Sequence, residues 1–256
     1  MSSVKTDKEF AGQTALVTGS SNGIGAEVAV KFAEKGAHVL IHYRSSIDDA
    51  NAVLARVREA GSDGEIFHGD FKDSEGVHKF LDAVGDRKVD LLINNAGWLV
   101  QRTPFLDFKE ELWNNVVMLN FTSVFMITQH FLPGMISRGA GFVVNVSSVA
   151  ARNGGGIGAI AYASSKAGLS AMTKGLAREF APKGIRVNAV SPGTIDTNFH
   201  KVFSTEQMLN NVRAATPAGR LGDSAETADV ILFLCSHEAR YIHGQILEVN
   251  GGFLMV

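Results

Sequence analysis

The residues best suited to chemistry are Tyr162 and Lys166 of the segment YASSK, because a spacing of four puts both on one face of a helix. A tyrosine hydroxyl ordinarily titrates near ~10 and is a poor base at neutrality. A neighbouring ammonium favours the phenolate and lowers that value. Such a phenol can give a proton to an alkoxide as a carbonyl is reduced, or take one in the reverse reaction. Tyrosine and lysine four apart are ordinarily a helix-surface pair, so the chemistry depends on what the rest of the chain supplies.

A second segment supplies a phosphate cradle. The apolar run TALVT leads into TGSSNGIG at positions 18–25 and then into helical sequence. Strand, glycine turn and helix start in that order aim backbone N–H groups and a positive helix end at a diphosphate. Gly19 and Gly23 let the backbone turn and approach a ligand, while Gly25 lets the helix pack close to the strand. Ser20, Ser21 and Asn22 offer side-chain donors, and Ile24 completes the loop. An isolated glycine-rich turn would be ordinary; the flanking elements give this one its meaning.

About 20 residues beyond such glycines, dinucleotide folds usually carry an acid that holds the ribose hydroxyls of NAD. Here the second strand ends in Tyr43, Arg44 and Ser45. No carboxylate at its end repels a 2′-phosphate, and Arg44 offers a planar, permanently charged fork to bind one. The pattern predicts NADP(H) as the preferred cofactor, with NAD(H) also usable. A solvated loop arginine is the plainer reading of Arg44. Asp70 and Phe71 follow the third strand, where they are expected against the adenine, or Asp70 simply starts a turn. Asn95, Ala96 and Gly97 of NNAG follow the fourth, where small residues allow close packing beside the cofactor. The positive ring of an oxidised nicotinamide near Tyr162 would lower its pKa further.

The elements that must position these groups alternate along the chain. Short apolar or β-branched runs predict strands at 14–18, 38–42, 65–68, 90–93, 141–146, 186–190 and 245–249. Segments of helical period lie near 23–35, 47–60, 74–84, 107–137, 162–181 and 225–236. This order predicts an α/β fold: a single Rossmann-type, doubly wound sheet of seven parallel strands with helices on both faces. Residues 1–10 read as a flexible N-terminal segment and 11–256 as the domain. Leu112, Trp113, Val116, Val117, Phe125 and Phe131 cannot share one stripe of the long fourth helix, so it is expected to bury more than one side, one of them against another subunit.

Composition narrows the function. The 256 residues carry a formal net charge of −2 without a basic stripe, which argues against nucleic acid. The one cysteine, Cys235, permits no internal disulfide, and the eight histidines form no metal-ligand spacing, so no metal is expected. The polar first ten residues argue against a secretory signal, and no uninterrupted apolar run approaches the ~18 residues of a membrane span. A cytoplasmic protein is expected.

TGSSNGIG, NNAG, YASSK and SPG at 191–193 occur in the order found in the short-chain dehydrogenase/reductase family, and the chain resembles that family from about residue 10 onward. PAGRLGDSAE and the closing VNGGFLMV resemble its bacterial β-ketoacyl carrier-protein reductases. The resemblance implies a catalytic serine before the tyrosine, for which Ser148 fits best and Ser147 competes. It implies a catalytic Asn120 that holds a water linking Lys166 to solvent; a buried asparagine at a helix kink is the plainer reading. It also implies that Pro192, Gly193, Ile195 and Thr197 line the nicotinamide, and that self-association gives a homotetramer.

By the same resemblance, substrate meets Ser148, Tyr162, Trp98, Arg152, Phe199 and Phe203, with His200, Met208 and Arg102 as further candidates. Three substrate classes stay open. The first is a 3-oxoacyl thioester carried by acyl carrier protein, with Arg138 and Lys183 as sparse basic candidates for its docking. HYRSS and QRTP are also similar to sugar and sugar-acid dehydrogenases of the family, and small ketones are the third class. A nucleotide sensor that has lost its chemistry would be expected to lack Tyr162, Lys166 or Ser148, all of which are present.

Overall fold

The computed structural model describes residues 8–256, apart from the side chains of residues 200 and 201. Seven strands form one parallel sheet: β1 (Thr14–Val17), β2 (His38–Tyr43), β3 (Gly64–His68), β4 (Leu91–Asn94), β5 (Gly141–Val146), β6 (Ile185–Pro192) and β7 (Ile246–Val249). Their spatial order is β3-β2-β1-β4-β5-β6-β7. The chain winds outward from β1 to β3 and then returns to β4 on the other side. The carboxyl ends of β1 and β4 therefore part at the switch point where an open α/β sheet receives its ligand.

The helices are α1 (Gly23–Glu34), α2 (Ile47–Glu59), α3 (Ser74–Val84), α4 (Glu110–Val117), α5 (Ser123–Arg138), α6 (Ala150–Asn153), α7 (Ile160–Phe180), α8 (Asn198–Phe203), α9 (Glu206–Ala215) and α10 (Ser224–Cys235). On one face of the sheet, Val28 and Phe32 of α1, Val53 and Val57 of α2, and Ile231 and Leu234 of α10 pack on Val17, Ile41 and Ile93. On the other, Phe80 of α3, Ile127 and Met135 of α5, and Ala177 of α7 pack on Leu16, Leu92 and Val143. A strand buried on both faces needs a continuous apolar run, which is what β1 and β4 carry.

Helix starts follow local chemistry. Ser46 accepts a bond from the Asp49 N–H at α2, Asp73 from Gly76 at α3, and Thr205 from Met208 at α9. Asp223 and Glu226 form a reciprocal capping box at α10.

Several elements differ from the sequence reading. The long fourth helix is α4 and α5 joined by a π-turn over Met118–Thr122, preceded by a 3₁₀ turn at Phe105–Asp107. Taken together, Glu110–Arg138 is long and apolar enough to cross a membrane by length and composition. The uninterrupted-run criterion overlooked this, because the apolar residues are scattered among polar ones. Its buried residues, Ile127, Phe131 and Met135 among them, belong to the core described above. The stretch 198–217 carries helices α8 and α9, which the sequence reading left without secondary structure. Phe10, assigned to the N-terminal segment, is buried and meets Phe32 edge to face, so the ordered core reaches back at least to that residue. Residues 1–7 of that segment lie outside the described residues.

Candidate active site

A cleft of about 730 Å³ runs along the carboxyl edge of the sheet, from Arg44 past the glycine loop to Tyr162 and the helices α8 and α9. The end that holds Tyr162 and Lys166 is built on α7. Gly154, Gly155 and Gly158 all adopt positive φ ahead of the helix, which lets the chain turn before Ile160. Tyr162 and Lys166 follow on the face towards the cleft, and both line it.

Lys166 is buried, and its Nζ donates to the Val146 carbonyl at 2.8 Å. Burial lowers its pKa to about 8. The expectation that Lys166 lowers the Tyr162 pKa is not met by the chain alone. Burial pushes the phenol up to about 12, and a hydrogen bond with the Ser148 hydroxyl offsets this only in part. Lys166 Nζ stands 5.7 Å from the centre of the phenol ring. Desolvation of an anion outweighs attraction by an ammonium at that range, so Tyr162 is protonated at neutral pH.

The two serines after β5 part company. Ser147 is buried, its hydroxyl donating to the Lys166 carbonyl at 3.0 Å and sharing a 2.9 Å bond with Ser170. The Ser148 hydroxyl instead joins the phenol, and it also accepts a bond from the Ala150 N–H. Asn120 sits in the π-turn, fully buried. Its Nδ2 donates to the carbonyls of Trp98 (2.8 Å) and Val116 (2.9 Å), and its Oδ1 accepts from the Trp98 N–H (3.0 Å). It thereby caps the carbonyl released by the π-turn and fixes the start of the loop after β4. Gly97 lies between Asn120 and Lys166: a Cβ there would come within 2.8 Å of Asn120 Oδ1 and 3.0 Å of Lys166 Nζ.

At the glycine loop, Gly19, Ser21, Asn22, Gly23 and Ile24 line the cleft. Ser20 does not. Its hydroxyl donates to the Val17 carbonyl at 2.7 Å and accepts from the His42 N–H, so it braces the loop from beneath and is no phosphate donor. Gly25 packs against the Gly19 carbonyl, where a Cβ would collide. Asn95 ties the loop to β4 by donating to the carbonyls of Thr18 and Gly19, both at 2.9 Å. Asn95, Ala96, Gly97, Pro192, Gly193, Ile195 and Thr197 all line the cleft.

The adenosine end needs several corrections. Arg44, Ser45 and Phe71 line the cleft, but Tyr43 packs its ring on His68 and Asp70 turns to Lys72, so neither faces it. The wall assigned to Asp70 is made by Gly69 and Phe71. Asp49, in the first turn of α2, also lines the cleft. This acid stands not at the strand end, where dinucleotide folds usually carry it, but in the first turn of the helix that follows.

At the substrate end, Trp98, Phe199 and Phe203 form an aromatic cluster with ring centres 4.7–5.3 Å apart, and Phe199 reaches the Tyr162 ring at 5.7 Å. Phe203 backs this cluster and does not itself line the cleft, which Leu209, Val212 and Met208 do. The side chain of His200 lies outside the described residues. Arg152 is drawn off into an ion pair with Glu248 at 3.2 Å and does not reach the cleft. Arg102 does, and it donates to the carbonyls of Phe203 (2.9 Å) and Ile157 (3.0 Å). Arg138 is bound to Val89 and Asp90, ahead of β4, and Lys183 stands ahead of β6. Both therefore belong to the amino edge of the sheet, away from the cleft mouth, and cannot form a docking surface around it.

A buried polar chain that starts from the first asparagine of NNAG ties these layers together. Asn94 donates to Thr128 Oγ1 and Asn145 Oδ1, and Asn145 donates to Thr173, linking β4, β5, α5 and α7 beneath the site.

Comparison with known proteins places this geometry. A family model described as enoyl-(acyl carrier protein) reductase matches residues 19–254. The chain is 39% identical over 247 residues to the 3-oxoacyl-[acyl-carrier-protein] reductase FabG of Vibrio cholerae, covering 96% of this chain and 98% of that protein. A crystal structure from Beutenbergia cavernae, provisionally an NAD(P)-dependent gluconate 5-dehydrogenase with NADP bound at low occupancy, superposes with a TM-score of 0.90 at 32% identity, over 96% of this chain and 98% of that one. One from Agrobacterium tumefaciens, provisionally a 2-deoxy-D-gluconate 3-dehydrogenase with bound NADP, gives 0.88 at 35%, over 97% and 99%.

Proposed function

The chain belongs to the short-chain dehydrogenase/reductase family, and from that premise we propose that this oxidoreductase, acting on CH–OH/C=O groups, is an NADP(H)-preferring reductase of 3-oxoacyl thioesters. The observation that carries the substrate is the wall facing Tyr162. Trp98, Phe199, Leu209 and Val212 offer apolar surface to an acyl chain, and Arg102, the cation a sugar acid would call on there, is bonded to the carbonyls of Phe203 and Ile157. The names of the V. cholerae relative and its like support the same choice, with acyl carrier protein as the partner that delivers the thioester.

A bound nicotinamide supplies or accepts the hydride. The residues fit a dinucleotide: Ser21, Asn22, Gly23 and Ile24 of the glycine loop line the cleft, Gly97 has no room for a side chain, and Arg44 stands at the far end. Ser148 holds the substrate oxygen beside the phenol and stabilises charge developing on it. Tyr162, protonated at neutral pH, donates its proton to that oxygen when the carbonyl is reduced. Lys166 keeps its ammonium at neutral pH and orients the site through Val146. Asn120 fixes the loop of Trp98.

Arg44 favours NADP(H) through its charge, while Asp49 can accept ribose hydroxyls and leaves NAD(H) usable. Exposed Trp113 and Phe125 on α4 and α5 support self-association, for which a homotetramer is the family's usual form. The deciding test is NAD(P)H oxidation with acetoacetyl thioester, keto sugar acids and small diketones. Turnover on the thioester with NADPH is expected; turnover on the sugar acids alone refutes the substrate reading.

A further inference from the structure

Near the end of β2 stands an imidazole with no part in the chemistry above. His42 is buried, on a strand whose other interior residues are apolar, and every polar atom of it is bonded. Its Nδ1 accepts the Gly19 N–H at 2.8 Å, and its Nε2 pairs with the Gly69 carbonyl at 3.0 Å. Its backbone N–H donates to Ser20 Oγ, and its carbonyl accepts the Ser20 N–H. The ring lies flat on Phe71, with centres 4.3 Å apart and planes within 3°.

These bonds fix a single protonation state. Nδ1 must be bare to accept from Gly19, and Nε2 must carry the hydrogen to donate to Gly69. A protonated imidazole would set two donors against each other at Gly19. Burial acts in the same direction and lowers the pKa to about 4.

The consequence lies in the glycine loop. Gly19 has φ 63°, and its N–H points inward to the imidazole while the N–H of Ser20 points inward to the β2 backbone. The next residues, Ser21 to Ile24, are then left facing the cleft. Without an acceptor at Nδ1, Gly19 would have an unpaired buried N–H, and the loop would turn to satisfy it. The same ring backs Phe71, which lines the other side of the adenosine end. One neutral side chain thus sets both walls.

We propose that His42 is a positioning residue for the dinucleotide, holding the phosphate loop in its binding shape through the Nδ1 acceptor to Gly19. This rests on the NADP(H) reading above.

Three variants separate the acceptor from mere packing. Asn in place of His42 sets an amide oxygen where Nδ1 stood but cannot reach Gly69. Gln reaches Gly69 but has no δ acceptor, and Leu has neither. NADPH affinity is measured by fluorescence titration, KM and kcat by turnover, and stability by thermal melting. His42→Gln and His42→Leu are expected to weaken NADPH binding about tenfold, the scale of one lost hydrogen bond, raising KM for NADPH far more than they lower kcat. His42→Asn is expected to stay within about threefold of wild type, although it melts as low as His42→Gln. Affinities that follow melting temperature across all three, or that match wild type throughout, overturn the proposal. Should Leu fail to fold, the Asn and Gln pair decides it. A wild-type protein that binds neither NADPH nor NADH overturns the cofactor reading itself, which is a separate outcome.

Discussion

Replacing Gly97 by alanine tests the packing of the acid/base centre through a single methyl group. The added carbon would come 2.8 Å from Asn120 Oδ1 and 3.0 Å from Lys166 Nζ, against an ordinary non-bonded separation of about 3.5 Å. Neither neighbour yields freely. Asn120 is held by three bonds to Trp98 and Val116, and Lys166 by the Val146 carbonyl. The smallest adjustment moves the Asn120 amide and breaks its bond from the Trp98 N–H, leaving a buried group unsatisfied at a cost of about 1–3 kcal/mol. If that cost falls on the arrangement of the reacting groups, kcat drops by about 5- to 150-fold. The assay is steady-state reduction at saturating NADPH, with a double-mutant cycle against Asn120→Ala. Since both substitutions disturb the same contact, the double variant should be little worse than the poorer single one. Wild-type kcat in Gly97→Ala, or independent losses that multiply in the double variant, would refute the reasoning.

Tyr162→Phe removes the proton donor and should lower kcat by about 10²- to 10⁴-fold, with NADPH affinity nearly unchanged by fluorescence titration. Arg44→Ala should raise KM for NADPH by about tenfold or more while leaving that for NADH almost alone, since only the former carries a 2′-phosphate. The neutral state of His42 ties folding to pH: its pKa falls from 6.5 to about 4 in the folded chain, so the unfolded chain binds an extra proton between those values. Its contribution is complete above about pH 6.5 and declines as pH falls towards 4, amounting to about 3 kcal/mol. Urea unfolding at neutral and mildly acid pH should show this loss in wild type and a smaller one in His42→Asn. Asp223→Ala removes the capping box of α10 and should cost about 1 kcal/mol in the same measurement, without change in KM.

Much of this protein follows from local rules that sequence carries openly. Strands of a parallel sheet are short apolar or β-branched runs separated by helical period, so all seven could be placed to within a residue or two. The glycine loop could be found because strand, turn and helix start are contiguous, and Tyr162 with Lys166 because helical spacing alone sets them on one face. What sequence could not carry is direction and competition between neighbours. Ser147 and Ser148 are adjacent and identical in type, and the packing of α7 turns one inward to Ser170 and the other out to the phenol. Ser20 and Arg152 have the right chemistry but meet the His42 backbone and Glu248 first, contacts that form only when distant segments close on each other. The loop held by Asn120 and the imidazole beneath Gly19 likewise depend on partners 22 to 27 positions away. The raised pKa of Tyr162 depends on burial, a property of the assembled layers that no spacing of residues records.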